Sequence, residues 1–355
     1  MIHGKFIEVE PVIQKYIERG IHFYYFCGGR GIGKTYSALD LCRKVAEGNS
    51  SLFDAPTRFM YLRRLKTEAE TISTKESNPF KKYNLEEGTD IDVEFSTKTG
   101  FGKFYSSSDE KDPNREVVGY SAGISTFSNL RGIDYSDVSL IVFDECVPEN
   151  QNKKPIKQEA TVFLNAIESI NRNRILSGEQ EVIVIMLSNN IDLGSDLLIG
   201  LNFTPILNNM IFKGQQKYTD VSRSLHIEKY TDLEVSREKE EGVLYKFAKD
   251  TGFVEDSLSG NFVNNDLTQV QKVDLRDYTA YLTFDSICIY KHKSKNLFHM
   301  SQILMPSKYT FLAVERDKCK ALFYWQYKLM RLERCITFDS YATVAVFDSM
   351  IGYKP

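Results

Sequence analysis

Four continuous apolar runs mark the first half of the chain: His22–Cys27, Arg58–Leu62, Leu140–Phe143 and Val182–Leu187. Runs without polar alternation suit strands buried on both faces, so they predict a mostly parallel sheet covered by helices. After the first run, Tyr36, Leu39, Leu41 and Val45 fall on one face of a helix over Lys34–Glu47. Val162, Phe163, Ala166, Ile167 and Ile170 repeat that period over Gln158–Asn171, which ends in Asn171-Arg172-Asn173-Arg174. Ile91–Ile124 alternates in shorter segments broken by Gly100, Gly102 and Gly119 and reads as a β-rich excursion at the sheet edge. Asp220–Lys249 is dense in charge, as a helical lid or linker would be. Tyr278–Tyr290 and Leu297–Leu304 predict a hairpin around Lys291–Asn296, followed by a long helix from Arg316 to about Arg334. The pattern predicts an α/β chain in three parts: a main domain over 1–195, a linker or lid over 196–255 and a small α/β domain over 256–355.

Composition narrows this picture without redirecting it. A length of 355 residues implies more than one core, and 42% hydrophobic with 26% charged residues is ordinary for a globule. No apolar stretch approaches the roughly 18 residues of a membrane span, and no basic segment with an apolar core opens the chain as a secretory signal would. Contact with a membrane is therefore not expected. Six scattered cysteines without a CxxC pair predict reduced, mostly buried thiols. A net charge of -3 provides no global basic field, so any contact with nucleic acid must come from a local patch.

The chemistry concentrates at strand ends. Gly28-Gly29-Arg30-Gly31-Ile32-Gly33-Lys34-Thr35 fits G-x-x-x-x-G-K-[ST] between a predicted strand and a helix, the setting this phosphate loop needs. Its glycines let main-chain N–H groups close around phosphates at a helix N-terminus, Lys34 reaches the β- and γ-phosphates, and the Thr35 hydroxyl holds Mg²⁺. Leu140–Phe143 ends in Asp144 and Glu145, which suit a magnesium ligand and a general base that polarises the attacking water. A glutamate beside the magnesium aspartate favours a hydrolase over a kinase. Pro155 stands where a GTPase would place Asp after Asn152-Lys153-Lys154, so nothing supports guanine as the base. Asn189, at the end of the fourth run, is the candidate γ-phosphate sensor. Arg131, Arg172 and Arg174 are the candidates for a charge that neutralises the transition state, with a solvated arginine as the alternative at each position.

The ordered set Gly28–Thr35 with Tyr36 and Ala38, Tyr61-Leu62-Arg63-Arg64-Leu65-Lys66, Ile141–Glu145, Arg172-Asn173-Arg174 and Leu187-Ser188-Asn189 resembles the DNA packaging ATPases, or encapsidation proteins, of phi-29-type tailed phages. The resemblance covers about the first 190 residues. It implies a P-loop NTPase core of the additional-strand, catalytic-glutamate (ASCE) type, and ATP with Mg²⁺ as nucleotide and metal. It also implies a homomeric ring, of five subunits, that moves double-stranded DNA into a procapsid. The ring would act in the infected host cell at the portal vertex, with a structural RNA as a further partner in some relatives. By the same resemblance Arg172 acts in trans on a neighbour's nucleotide, and Arg131 stands where the family can carry a second trans lysine. Lys66 maps to a pore-facing basic residue.

Lys153, Lys154 and Lys157 form a candidate second phosphate contact on DNA, with a plain solvated loop as the alternative. Such lysine contacts are independent of sequence and sensitive to salt. The C-terminal part resembles the family only by position and pattern, which implies a vestigial RNase H-like domain. Asp274, Asp277 and Asp285 are the acids that an active nuclease would have to gather. Lys318, Lys320, Lys328, Arg331 and Arg334 suggest a basic stripe on the long helix. Two other readings stay open at this point: a terminase-like motor that also cuts DNA, and a nucleotide-gated DNA-binding switch.

Overall fold

The computed structural model describes residues 6–130, 134–148, 156–189, 191–231, 234–248, 269–271 and 273–353. The chain divides into two compact units, residues 1–191 with 215–263 and residues 192–214 with 264–355. Among the described residues no helix is long and apolar enough to cross a membrane.

The strands of the first unit are β1 (Phe23–Gly28), β2 (Arg58–Arg63), β3 (Asp92–Ser96), β4 (Phe101–Tyr105), β5 (Val117–Gly123), β6 (Val138–Phe143), β7 (Ile183–Ser188), β8 (Lys217–Asp220) and β9 (Leu225–Tyr230). They form one sheet in the order β3-β4-β5-β2-β6-β7-β1-β9-β8. The six strands from β5 to β9 in that order run parallel, and antiparallel β3, β4 and β8 close the two margins. The four apolar runs became β1, β2, β6 and β7, nearly all of whose residues are buried, as strands covered on both faces must be. The edge excursion became β3, β4 and β5. Strand β7 lies between β1 and β6, so the P-loop strand and the strand that ends in the two acids are one strand apart.

The charged region after Asn190 is where the expected boundaries need correction. Lys217–Tyr230 is no linker, because β9 pairs with β1 from Leu225 to Tyr230 and completes the first sheet. At its centre the buried Glu228 is satisfied by its neighbours. Glu228 accepts from His226 Nε2 at 3.1 Å, from Lys217 Nζ at 2.8 Å and from the Tyr230 hydroxyl at 2.6 Å. Burial opposes its charge, yet these three donors hold the Glu228 carboxyl down at about 2. Residues 192–214 belong to the second unit, where the helix Thr204–Phe212 packs on the helix Tyr341–Ile351.

The second unit has its own five-stranded sheet: β10 (Tyr278–Phe284), β11 (Ile287–His292), β12 (Phe298–Ser301), β13 (Tyr309–Phe311) and β14 (Ile336–Phe338), in the order β13-β10-β11-β12-β14. The meander β10-β11-β12 is antiparallel, while β13 and β14 flank it in parallel. The helix Arg316–Leu332 covers this sheet with Cys319, Phe323, Tyr327 and Met330. Its outer face does not carry the plain basic stripe that the sequence suggests. Leu322, Trp325, Leu329 and Leu332 are exposed there, and Arg331 turns inward to Asp348 at 2.9 Å. Five of the six cysteines are buried and all six are unpaired thiols.

Candidate nucleotide site

Strand β1 ends at Gly28, and the loop that follows turns into the helix Lys34–Glu47. Gly28 sits so close to β9 that a Cβ there would lie 2.5 Å from the Tyr230 carbonyl oxygen. Gly33 caps the helix at φ +96°, a conformation that costs glycine little and other residues much. Gly29 is buried, Arg30 and Gly31 are exposed, and Ile32 is buried beneath the loop. Lys34 is itself buried and donates to the Gly28 carbonyl at 2.8 Å and to the Gly29 carbonyl at 2.7 Å.

The two acids come to the same place. β6 runs parallel to β7 and β7 to β1, so the end of β6 is carried to the loop end of β1. The Thr35 hydroxyl lies 3.2 and 3.3 Å from the two carboxylate oxygens of Asp144. A hydroxyl and a carboxylate this close, beside a phosphate loop, fit a hard cation such as Mg²⁺ that takes oxygen ligands. Glu145 follows with φ +48°, rare for a residue with a side chain, and its side chain is 41% exposed. Ser188 pairs in register with Cys27, and Asn189 follows directly after the end of β7.

Two residues that sequence reasoning gave no role, Tyr61 and Arg63, complete the cluster. The buried Tyr61 hydroxyl donates to Asp144 Oδ2 at 2.5 Å. Burial and the charge of Asp144 push Tyr61 well above its ordinary value, so it stays a neutral donor. Arg63, two residues on and on the same strand face, bonds Asp144 at 3.4 Å and forms a close ion pair with Glu145. Arg64 points the other way and grips Glu159 in a buried two-pronged pair at 2.6 and 3.0 Å. The available signal was polar residues at the end of a buried strand, since a buried guanidinium must find an anion.

Other predicted residues lie elsewhere. The Tyr36 ring faces away from the loop, tilted against Tyr83 with its hydroxyl on Glu87 at 2.9 Å. Lys66 opens the helix Lys66–Ile72 just past β2 and donates to the Thr97 carbonyl at 2.7 Å. Lys157 is exposed just ahead of the helix Glu159–Asn171. Arg131, Lys153 and Lys154 lie outside the described residues. Arg172 is exposed at the far end of the Glu159–Asn171 helix with φ +41°. Arg174 is corrected from a catalytic candidate to a structural anchor. It is buried, and its guanidinium donates to the carbonyls of Ser136, Val138 and Gln180 and to the Ser139 hydroxyl. Those acceptors cluster at the start of β6, at the opposite end of the strand from Asp144.

Fold and site together define an α/β protein with a large, mostly parallel sheet and a glycine-rich loop one strand away from two acids. The chain belongs to the podovirus DNA encapsidation protein (Gp16) family, whose model matches residues 12–336. The DNA packaging proteins of Bacillus phage phi29 and Bacillus phage PZA are each 26% identical to it over 253 residues, 70% of this chain and 64% of theirs. The match therefore spans less than two thirds of those relatives. The fold is similar to a chain of the bacteriophage Phi-29 viral genome packaging motor assembly, with a TM-score of 0.62 and 18% identity over 99% of both chains. It is also similar to the Phi-28 gp11 DNA packaging motor, with a TM-score of 0.57 and 17% identity over 97% of this chain and 98% of that one.

Proposed function

We propose that this chain is an ATP-hydrolysing subunit of a ring motor that drives double-stranded DNA into a procapsid, with a core of the ASCE type. The observation that carries this reading is the convergence of Lys34 and Thr35 with Asp144 and Glu145 in a chain of the encapsidation family. The intervening strand β7 supports the ASCE assignment. Lys34 would leave the loop carbonyls for the phosphates, and Thr35 with Asp144 would hold Mg²⁺. When bound, Mg²⁺ neutralises charge on the phosphate oxygens.

Glu145 is the general base for the attacking water. Its ion pair with Arg63 occupies the carboxylate that must accept the proton, so Arg63 restrains it until that pair opens. The left-handed backbone at Glu145 stores strain on the order of 1–3 kcal/mol.

Arg172 fits action on a neighbour's nucleotide rather than its own. The Glu159–Asn171 helix begins at Glu159, which is tied to Arg64 beside the site, and its 13 residues span about 20 Å. Arg172 stands at the remote end, so a homomeric ring, of five subunits by the family resemblance, would bring it to the adjoining site. Lys66 and Lys157 are the described candidates for DNA phosphate contacts, and the portal of the procapsid is the proposed docking partner. A cutting function is not part of this proposal. Asp277 precedes β10 and Asp285 follows it, so the seven-residue strand separates them by about 25 Å, and Asp274 is paired with Arg276.

A subunit-mixing experiment tests the shared site. Arg172→Ala and Glu145→Gln chains should each be inactive alone and recover ATP turnover when combined, because some interfaces then hold both intact groups. No recovery at any mixing ratio would contradict action in trans.

A further inference from the structure

Behind β9 the chain returns to the phosphate loop. β9 lies against β1 as far as Tyr230, and the helix Glu234–Glu240 follows. On that helix Val235 and Ser236 are buried, and Lys239, four and three residues later, shares their face. Its ammonium donates to the Arg30 carbonyl at 2.6 Å and lies directly over Gly31, where any Cβ would collide with it. Lys34 holds the carbonyls of Gly28 and Gly29. Two ammonium groups from separate elements thus hold three consecutive carbonyls of one loop.

This placement is not explained by pairing within the helix. Glu238, Glu240 and Glu241 are sequence neighbours of Lys239, yet among the described residues no carboxylate forms an ion pair with it. The side chain extends to the loop instead and is half-buried there, and burial lowers its affinity for a proton. A neutral carbonyl is a weak partner for a half-buried ammonium. A phosphate oxygen would give Lys239 a stronger, charge-assisted acceptor.

We propose that Lys239 is a nucleotide-binding residue: its ammonium contacts the phosphate chain of the nucleotide held by Gly28–Thr35, and so ties the Glu234–Glu240 helix to the occupancy of the loop. The inference rests on the nucleotide-site reading above and adds a ligand from outside the loop motif. Lys239 exchanges the Arg30 carbonyl for phosphate oxygen, just as Lys34 gives up its two carbonyls. The helix then acts as a lid whose position differs between the empty and the loaded loop.

The test is equilibrium binding of magnesium with a non-hydrolysable ATP analogue to the full chain, by competition against a fluorescent ADP, with melting temperatures measured with and without nucleotide. Lys239→Ala should weaken binding of the analogue by about tenfold or more, the range of a charge-assisted hydrogen bond. Lys239→Arg should restore most of it. Lys239→Gln keeps a donor for the Arg30 carbonyl but has no charge. It should therefore bind as poorly as the alanine variant while melting like the wild type without nucleotide. Analogue affinity within about twofold of wild type in both Lys239→Ala and Lys239→Gln would overturn the proposal. Full affinity in the glutamine variant with loss only in the alanine variant would also overturn it, by assigning Lys239 to loop support. If the wild-type chain binds no nucleotide, the site reading itself fails, a result distinct from either of these.

Discussion

The two sheets of this chain treat charge in opposite ways. In the first unit, Arg63, Asp144, Glu145 and the phosphate loop gather at one edge, where neighbouring parallel strands end together. In the second, the acids of β10 fall at opposite ends of the strand. The buried charges there are consumed in a closed group, with Asp348 accepting from Arg331 at 2.9 Å and also from Tyr327. Parallel strands that end together bring charged groups to one place, as open α/β sheets do at the carboxyl ends of their strands. The second arrangement spends its charge on holding two helices together.

That contrast makes removal of the charges at the first unit's strand ends a chemical change and removal of the Arg331–Asp348 pair in the second a stability change. The largest effect is expected for Arg172→Ala, which should lower ATP turnover by about 10³ to 10⁵ in a steady-state assay of the assembled protein. Glu145→Gln should lower turnover by about 10² to 10⁴ while nucleotide binding, followed by fluorescence, persists. Asp348→Ala should leave the affinity for nucleotide unchanged. It should cost the second unit about 2–3 kcal/mol in a denaturant titration, because Arg331 is then left without its anion. If it abolished nucleotide binding instead, the separation of roles between the units would fail.

The smallest effect concerns pH. Glu228 sits at about 2 in the folded chain against an ordinary 4.5, so its contribution is fully present above about pH 4.5 and is lost as pH falls toward 2. Glu228→Gln should therefore flatten that part of the acid-stability curve, by on the order of 2–3 kcal/mol between its ends. An unchanged acid transition would show that the buried network on β9 does not hold the first sheet's margin.

The legible parts of the molecule were those with a local signature. β1, β2, β6 and β7 could be read because strands covered on both faces are continuous apolar runs, and the turn from β1 into the Lys34–Glu47 helix because its glycines mark it. β8 and β9 were read as a linker because Lys217, His226 and Glu228 look solvated until their mutual hydrogen bonds are known. The assignment of residues 192–214 to the second unit depends on packing against a helix more than a hundred residues later, which no local pattern records. Within the site, Arg63 and Glu145 are 82 residues apart in sequence, so the restraint on the proposed base emerges only in the fold. Arg174 misled for the opposite reason. It stands at a helix end, where arginines usually reach solvent, but three carbonyls and a hydroxyl at the base of β6 hold it inside.

The central claim is that the loop at Lys34 and the acids after β6 form one ATP-hydrolysing pocket whose work is done on DNA. The most direct measurement is steady-state ATP turnover by the full chain with magnesium, with and without double-stranded DNA, at low and high salt. Turnover should rise with DNA of any sequence, lose this stimulation as salt screens the lysine–phosphate contacts, and disappear in Lys34→Ala. Turnover that persists in Lys34→Ala, or that is indifferent to DNA at low salt, would contradict the claim.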